Sequence, residues 1–164
     1  MKKVLAMISP SAAETEKFGQ IFAKNLRGGE VIGLIGELGS GKTAFVKGLA
    51  KGLGIQEPIT SPTFVVLREY NILRPKLHLR GVVRGVVNMV RKLIHVDAYR
   101  LEKIEEIKSA GIEDYWGRKD AIMVIEWAEK IKKILPKNTI YIRFKHISEN
   151  IREISIKKRT YVEK

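Results

Sequence analysis

The stretch that most constrains the fold is GELGSGKT at residues 36–43. It follows a run at 31–35 rich in β-branched residues, as a strand buried on both faces requires. Residues 44–53 repeat apolar side chains along one face of a predicted helix. The order strand, glycine loop and helix is the context in which the pattern G-x-x-x-x-G-K-[ST] forms a phosphate-binding loop.

The spacing of this loop suits a bound polyphosphate. Glycines let consecutive backbone N–H groups point inward, where a Cβ would obstruct the anion, and the following helix adds partial positive charge at its N-terminus. Lys42 is predicted to reach the β- and γ-phosphates, and the Thr43 hydroxyl to ligate Mg²⁺. The residues predicted to contact the nucleotide here are Gly36, Glu37, Leu38, Gly39, Ser40, Gly41, Lys42, Thr43 and Ala44.

Composition restricts the class of protein further. The chain has 164 residues, of which 45% are hydrophobic and 30% are charged, so we expect one globular domain spanning 1–164. It has no cysteine, which excludes disulfides, thiolate metal sites and a cysteine nucleophile. No apolar run approaches the roughly 20 residues of a membrane span. We therefore expect a cytoplasmic protein that does not enter a membrane.

Apolar periodicity along the rest of the chain predicts an α/β fold. The predicted strands are 3–8, 31–35, 64–67, 93–96, 121–125, 139–147 and 151–157; the predicted helices are 11–26, which begins at a capping box, 44–53, two short ones separated by Gly111, and 128–134. The last two strands alternate apolar and charged residues around a polar turn, which is typical of an antiparallel hairpin. We therefore predict a mostly parallel sheet with an antiparallel C-terminal hairpin.

Two carboxylates follow apolar strands. Asp97 directly follows the strand predicted at 93–96, and Glu126 directly follows the strand predicted at 121–125. Ligands in such sheets bind at the carboxyl ends of the strands, so both side chains should lie near Thr43. Either one can hold Mg²⁺ or orient an attacking water, and the sequence leaves open which one contacts the metal. His95 is interpreted as a histidine packed near a strand end, with no catalytic role.

The net charge of +13 is concentrated in part in a basic insertion at about 71–94. This segment has six Lys or Arg residues and no acidic one, and it repeats Arg-Gly-Val-Val at 80–83 and 84–87. Its pattern favours an extended hairpin, with a short helix at 86–94 as the alternative. Two functional interpretations remain open, an RNA-contacting arm or a duplication that lengthens a surface hairpin. The overall charge likewise fits RNA, an acidic protein, or simply a soluble surface.

Five motifs in order resemble the TsaE (YjeE) family, small bacterial ATPases needed for the threonylcarbamoyl modification of adenosine in the tRNA anticodon loop. They are GELGSGKT at 36–43, SPTF at 61–64, HVDAYRL at 95–101, a Glu-Glu, Gly, Asp-Tyr pattern from Glu105 to Tyr115, and IEW at 125–127. Together they cover most of the chain, and they are far more specific than the glycine loop alone. The chain departs from the family pattern between Tyr70 and His95, where the family usually has a short turn.

The resemblance implies a three-layer P-loop NTPase-like sandwich that hydrolyses ATP with Mg²⁺. It also implies two partners, TsaD and TsaB, with TsaD transferring the threonylcarbamoyl group to position 37 of the tRNA. The tRNA itself would be contacted indirectly or through the basic segments. By matching position, the resemblance implies that Lys42 binds phosphate and that Thr43 binds Mg²⁺. Glu126 matches the glutamate of the family's Mg²⁺ site, and Asp97 matches an aspartate important to activity. Ser61 to Thr63 match a switch segment, and Trp127 and Arg152 match residues near the nucleotide.

Two other functions fit parts of the sequence. A small nucleotide or nucleoside kinase would share the phosphate loop and the size, but the sequence offers no recognisable motif for a phosphate acceptor. A basic RNA-binding module would explain the net charge of +13 without catalysis. RNA binding and ATP hydrolysis can also coexist in one chain.

Overall fold

The computed structural model describes residues 4–60, 66–73, 90–101 and 104–157. Its elements in chain order are β1 Val4–Ser9, α1 Ala12–Ala23, β2 Val31–Ile35, α2 Lys42–Leu53, β3 Leu67–Asn71, β4 Lys92–Asp97, α3 Ile104–Ser109, a 3₁₀ helix Ile112–Tyr115, β5 Ala121–Glu126, β6 Ile140–His146 and β7 Arg152–Lys157. The described strands form one sheet of seven in the order β1-β7-β6-β2-β5-β4-β3. No helix in these residues is long and apolar enough to cross a membrane.

The sheet is parallel at its centre and antiparallel at both edges. Strand β2 pairs in parallel with β5 and β6, and β4 pairs in parallel with β5. The antiparallel pairs are β3 with β4, β6 with β7 and β7 with β1. This confirms the predicted α/β class and C-terminal hairpin. The parallel centre directs the carboxyl ends of β2, β4 and β5 to the same edge of the sheet.

Apolar side chains cover both faces of this sheet, giving the predicted three layers. One cluster joins α1 and α2 to residues such as Ile32, Val124 and Phe144. The other joins the segments after β4 and β5 to residues such as Ile94 and Ile125. Strand β5 is buried along its whole length, which explains its unbroken apolar sequence.

Helices α1 and α2 approach each other closely because glycines face each other between them. A Cβ on Gly48 would lie 1.9 Å from the carbonyl oxygen of Glu16, and one on Gly19 would lie 2.4 Å from that of Phe45. Helix α1 begins as predicted, with the Glu14 N–H donating to the Ser11 hydroxyl at 3.2 Å. The packed pair holds the N-terminus of α2, and with it the glycine loop, against the sheet.

The predicted helix at 128–134 is wrong, because this segment forms a series of turns. The Ala128 N–H donates to the carbonyl of Leu34 on β2, which ties the start of the segment to the sheet. The N–H groups of Lys130 and Ile134 then bond to carbonyls three residues earlier, as in tight turns rather than an α-helix. The apolar spacing that suggested a helix instead serves to bury Ile131.

The region around the insertion differs in detail from the prediction. Strand β3 occupies Leu67–Asn71, later than the predicted 64–67, and residues 61–65 lie outside the described part. Strands β3 and β4 pair antiparallel, with Asn71 opposite Lys92, so they flank the insertion as a hairpin would. Most of the insertion, 74–89, lies outside the described residues, and so does its repeat. The two short helices split at Gly111 are confirmed.

Candidate functional site

The glycine loop lies between β2 and α2, and its backbone requires glycine at specific positions. Gly36 and Gly41 have φ angles of 151° and 105°, a region that other residues rarely adopt. A Cβ on Gly36 would also lie 2.5 Å from the carbonyl oxygen of Phe144. The loop therefore packs directly against β6, and its remaining backbone faces the cleft above α2.

Lys42 opens α2 and lies across the loop. Its Nζ donates to the carbonyl oxygens of Gly36 at 2.7 Å and Glu37 at 2.8 Å. The same atom lies 3.9 Å from the centre of the Trp127 ring. Burial lowers the pKa of Lys42, while the carboxylates of Glu126, Glu129 and Asp97 act in the opposite direction. The ammonium is thus largely removed from water and held by neutral carbonyl groups, which a phosphate can replace as partners.

A cavity of about 630 Å³ opens above the loop. It brings together most of the residues predicted from the sequence, namely Leu38, Gly39, Ser40, Gly41, Lys42, Thr43, Ala44, Asp97, Glu126, Trp127 and Arg152. Gly36 and Glu37 do not line it; they lie at the back of the loop, where their carbonyls bind Lys42. The predicted switch residues Ser61 and Thr63 lie outside the described residues.

Glu126 is the buried carboxylate of this cavity, with 3% of its surface exposed. The Thr43 hydroxyl donates to its Oε2 at 2.9 Å, with Oε1 slightly farther away at 3.2 Å. His95 Nε2 lies 2.9 Å from Oε1. Among the described residues, Glu126 forms no ion pair with a lysine or arginine. Its partners within hydrogen-bond distance are therefore a hydroxyl and an imidazole, and the charge of Lys42 acts on it from nearby.

Asp97 lies beside Glu126, since the two residues are register partners at the ends of β4 and β5. Its Oδ1 accepts a hydrogen bond from the Tyr99 N–H at 2.9 Å. The Ala98 N–H donates to the backbone carbonyl of Glu126, which locks the two strand ends together. Both predicted carboxylates thus reach the cavity, and of the two it is Glu126 that contacts the Thr43 hydroxyl.

Trp127 has a backbone conformation that is unusual for its type. Its φ of 58° makes it the one non-glycine residue with positive φ in the described chain. Such a conformation costs on the order of 1–3 kcal/mol and persists where the surroundings impose it. Here the turn places the indole in the cavity wall, 4.9 Å from the Tyr99 ring and beneath the Lys42 ammonium. The residue that follows the glutamate thus forms an aromatic wall of the site.

Arg152 begins β7 and approaches the loop from the other side. Only 6% of its surface is exposed, and a Cβ on Gly41 would lie 3.1 Å from its Cδ. Its Nη1 donates to the hydroxyl of Thr15, which lies 2.8 Å from that of Ser9. Within the described part of the chain, its Nε has no hydrogen-bond partner. A buried guanidinium without a carboxylate favours an anionic ligand in the cavity.

Sequence reasoning missed three residues that shape this site. Ser9 and Thr15 are fully buried hydroxyls beneath Arg152. Thr15 was interpreted only as part of a helix, and Ser9 lies just after the predicted first strand and was assigned no role. His95 lies near a strand end as predicted, yet its ring contacts Glu126 rather than only packing. A polar residue inside an otherwise apolar strand was the available signal for His95. No local pattern marks Ser9 or Thr15.

The residues present fit a nucleotide phosphate and Mg²⁺. Mg²⁺ prefers oxygen ligands and is usually held by one or two carboxylates together with substrate phosphates and water. Thr43 and Glu126 supply two such oxygens, and Asp97 lies beside them. The described residues contain no cluster of three or more His, Cys, Asp or Glu that could hold a metal alone. This donor set suits a metal ion that arrives with a phosphate ligand.

The mixed sheet of seven strands, with a glycine loop between β2 and α2, defines an α/β protein whose candidate site lies at the carboxyl ends of the central strands. The crystal structure of YdiB from Bacillus subtilis resembles the chain with a TM-score of 0.70 and 29% sequence identity, covering 98% of this chain and 88% of YdiB. The family described as "Threonylcarbamoyl adenosine biosynthesis protein TsaE" matches residues 9–154. The chain belongs to the TsaE family, as the motifs predicted.

Curated relatives agree with this assignment. The tRNA threonylcarbamoyladenosine biosynthesis protein TsaE of Treponema pallidum (strain Nichols) is 38% identical over 150 residues, which cover 91% of this chain and 97% of the relative. The protein of the same name from Bacillus subtilis (strain 168) is 34% identical over 142 residues, covering 87% and 78% of the two chains. The family thus places the chain in the biosynthesis of threonylcarbamoyladenosine in tRNA.

Proposed function

We propose that this protein binds and hydrolyses ATP with Mg²⁺ as a cytoplasmic component of the machinery that forms N6-threonylcarbamoyladenosine at position 37 of tRNA. It would act together with TsaD and TsaB. The observation that carries the ATPase proposal is the hydrogen bond between Thr43 and Glu126, 2.9 Å long, at the mouth of the glycine loop. It joins the predicted metal-binding hydroxyl to a buried carboxylate from a neighbouring strand.

Each residue has a definite task in this proposal. Loop N–H groups and Lys42 bind the phosphates, and Lys42 exchanges its carbonyl partners for phosphate oxygens. Thr43 and Glu126 would hold Mg²⁺, and when bound this ion would supply positive charge to the phosphates. Asp97 orients water at the strand ends, and Trp127 excludes bulk water from one wall. Arg152 places positive charge on the opposite side.

The proposal is tested by measuring ATP turnover with and without TsaD and TsaB. We expect slow hydrolysis by the isolated chain, stimulation by the partners, and loss of both hydrolysis and triphosphate binding in Lys42→Ala. Lys47→Ala is the matched control, because Lys47 is exposed on the same helix. Retained turnover in Lys42→Ala would exclude the loop as the active site. Intact nucleotide binding without stimulation by the partners would refute the role in the complex.

One observation favours nucleic-acid contact as a second function. Arg143 and Lys145 are exposed on β6, where they alternate with the buried Ile142 and Phe144, so both point away from the helical layer. A cationic sheet face binds phosphate backbones in a salt-dependent manner. Binding to tRNA should therefore weaken with salt, and the double variant Arg143→Ala/Lys145→Ala should reduce that salt dependence. The control is Lys17→Ala/Lys47→Ala on the helical face; equal losses in both pairs would refute a specific surface.

A further inference from the structure

His95 is a buried polar residue on β4, two residues before the carboxyl end of the strand. It lies on β4 between Ile94 and Val96, and none of its surface is exposed. Its register partner on β5 is Val124, one pleat below Glu126. Because alternate residues of a strand share a face, His95 points to the same side as Asp97 and Glu126, beneath the N-terminus of α2. The imidazole thus lies directly under the candidate metal site.

The two oxygens of Glu126 have different nearest partners. Oε1 lies 2.9 Å from His95 Nε2, and Oε2 accepts a hydrogen bond of 2.9 Å from the Thr43 hydroxyl. A carboxylate accepts hydrogen bonds and does not donate them, so Nε2 carries the hydrogen in this contact. With one oxygen fixed from below, the carboxylate is held in a single orientation, and Oε2 stays directed at Thr43.

Packing alone does not account for a histidine at this position. Burying a polar group without a partner costs on the order of 1–3 kcal/mol, and an apolar residue would fill the space without that cost. Within the described chain, His95 Nδ1 has no hydrogen-bond partner, so Glu126 is the one group there that satisfies the ring. The ring is therefore best explained by what it does to Glu126.

We propose that His95 is a positioning residue that fixes the Glu126 carboxylate for Mg²⁺ at the Thr43 hydroxyl. This inference rests on the proposed ATPase function and adds to it a residue that touches neither the nucleotide nor the metal. Groups that orient metal ligands typically change metal affinity or activity by about 10–100-fold when they are removed. The effect should therefore appear in the response to Mg²⁺ and not in the affinity for nucleotide alone.

The test compares two substitutions at His95. His95→Met removes the donor while keeping an unbranched side chain that fills the space. His95→Gln retains an N–H donor at a similar reach and serves as the rescue. For each protein we would measure the affinity for a fluorescent ATP analogue in EDTA and over a series of Mg²⁺ concentrations, together with kcat and KM for ATP.

We expect His95→Met to need about tenfold more Mg²⁺ for half-maximal nucleotide binding and to lose about tenfold in kcat. Its affinity in EDTA should match the wild type, and His95→Gln should recover most of the loss. An unchanged Mg²⁺ response in His95→Met would overturn the inference while leaving the ATPase proposal intact. A wild-type protein whose nucleotide affinity does not respond to Mg²⁺, alone or with TsaD and TsaB, would overturn both.

A second measurement covers the case in which His95→Met folds poorly. In a Glu126→Ala background the histidine has nothing to position, so substituting Gln or Met for His95 should change the Mg²⁺ response no further. Additive losses in the double variants would show that His95 acts independently of Glu126, which also refutes the inference.

Discussion

Two glutamates on this sheet differ in how their charge is compensated. Glu69, on the edge strand β3, is partly exposed, and its carboxylate accepts hydrogen bonds from Lys92 and from the Tyr115 hydroxyl. Glu126, at the end of β5, is buried and is held by a hydroxyl and an imidazole. Glu69 is thus paired with a lysine, while Glu126 has no lysine or arginine paired with it among the described residues.

This difference separates a structural carboxylate from one suited to a ligand. A paired carboxylate stabilises its surroundings and has little reason to bind anything further. A buried carboxylate without a lysine or arginine partner is costly for the fold, and that cost is recovered when a cation binds. Glu69 therefore ties β3 to β4 and to the 3₁₀ helix, whereas Glu126 has the environment that the proposed Mg²⁺ site requires.

The largest expected effect comes from Glu126→Gln. The amide cannot neutralise Mg²⁺, so hydrolysis should fall by about 10²–10³-fold, with a smaller loss of nucleotide affinity. Removing a buried charge that has no lysine or arginine partner should leave the free energy of unfolding in metal-free buffer unchanged or raised. Steady-state ATPase assays and urea denaturation measure the two quantities. Glu113→Gln, an exposed position, is the control.

Equal losses of hydrolysis and affinity in Glu126→Gln would argue that Glu126 is structural. A marked loss of stability in metal-free buffer would argue the same. Either result would remove the contrast with Glu69.

An intermediate effect is expected from Glu69→Gln. Because solvent screens the interaction of Glu69 with Lys92, the free energy of unfolding should fall by only about 1 kcal/mol. Hydrolysis should not change. The hydrogen bonds from Lys92 and then from Tyr115 lower the pKa of Glu69 below its ordinary value of 4.5. The stabilising contribution of Glu69 is therefore complete above pH 4.5 and is lost as the pH falls through the lowered pKa.

Urea denaturation of wild type and Glu69→Gln at neutral and at acidic pH measures this difference. The gap between the two proteins should narrow in acid. A gap that persists far below pH 4.5 would mean that the carboxylate charge is not the source of the stabilisation.

The smallest effect is expected from Tyr115→Phe, which removes one hydroxyl donor and should cost about 0.5–1 kcal/mol of stability. The hydrogen bond to Glu69 raises the pKa of Tyr115. The contribution of the hydroxyl to stability is therefore present below pH 10.0, the ordinary pKa of tyrosine, and is lost as the pH rises through the raised pKa. Unfolding at neutral and at alkaline pH measures it. In the double variant with Glu69→Gln the two losses should not add, and additivity would show that the groups are uncoupled.

Much of the candidate site follows from local sequence. The glycine loop is a contiguous pattern, and Asp97 and Glu126 were predicted because each ends an apolar strand whose direction follows from the parallel centre of the sheet. Neither prediction requires knowledge of a long-range contact; the second requires only that the two strands lie in the same sheet. Local patterns were therefore sufficient for the residues that face the cavity from these strand ends.

The supporting residues could not be predicted in the same way. The contact of His95 with Glu126 depends on the register of β4 against β5, and that of Thr15 with Arg152 joins residues 137 positions apart. The segment at 128–134 has the apolar spacing of a helix, but its tie to Leu34 and the positive φ of Trp127 impose turns. Such contacts are set by tertiary packing, which sequence periodicity does not encode.

The glycine contacts between α1 and α2 determine which substitutions this chain tolerates at the crossing of the two helices. Because Gly19 and Gly48 let backbone meet backbone, the position of α2 does not depend on the size of side chains at that crossing. Exposed residues of α1 can change over evolutionary time without displacing the glycine loop. The two glycines themselves cannot, since any side chain there would push the helices apart and carry the N-terminus of α2 with them.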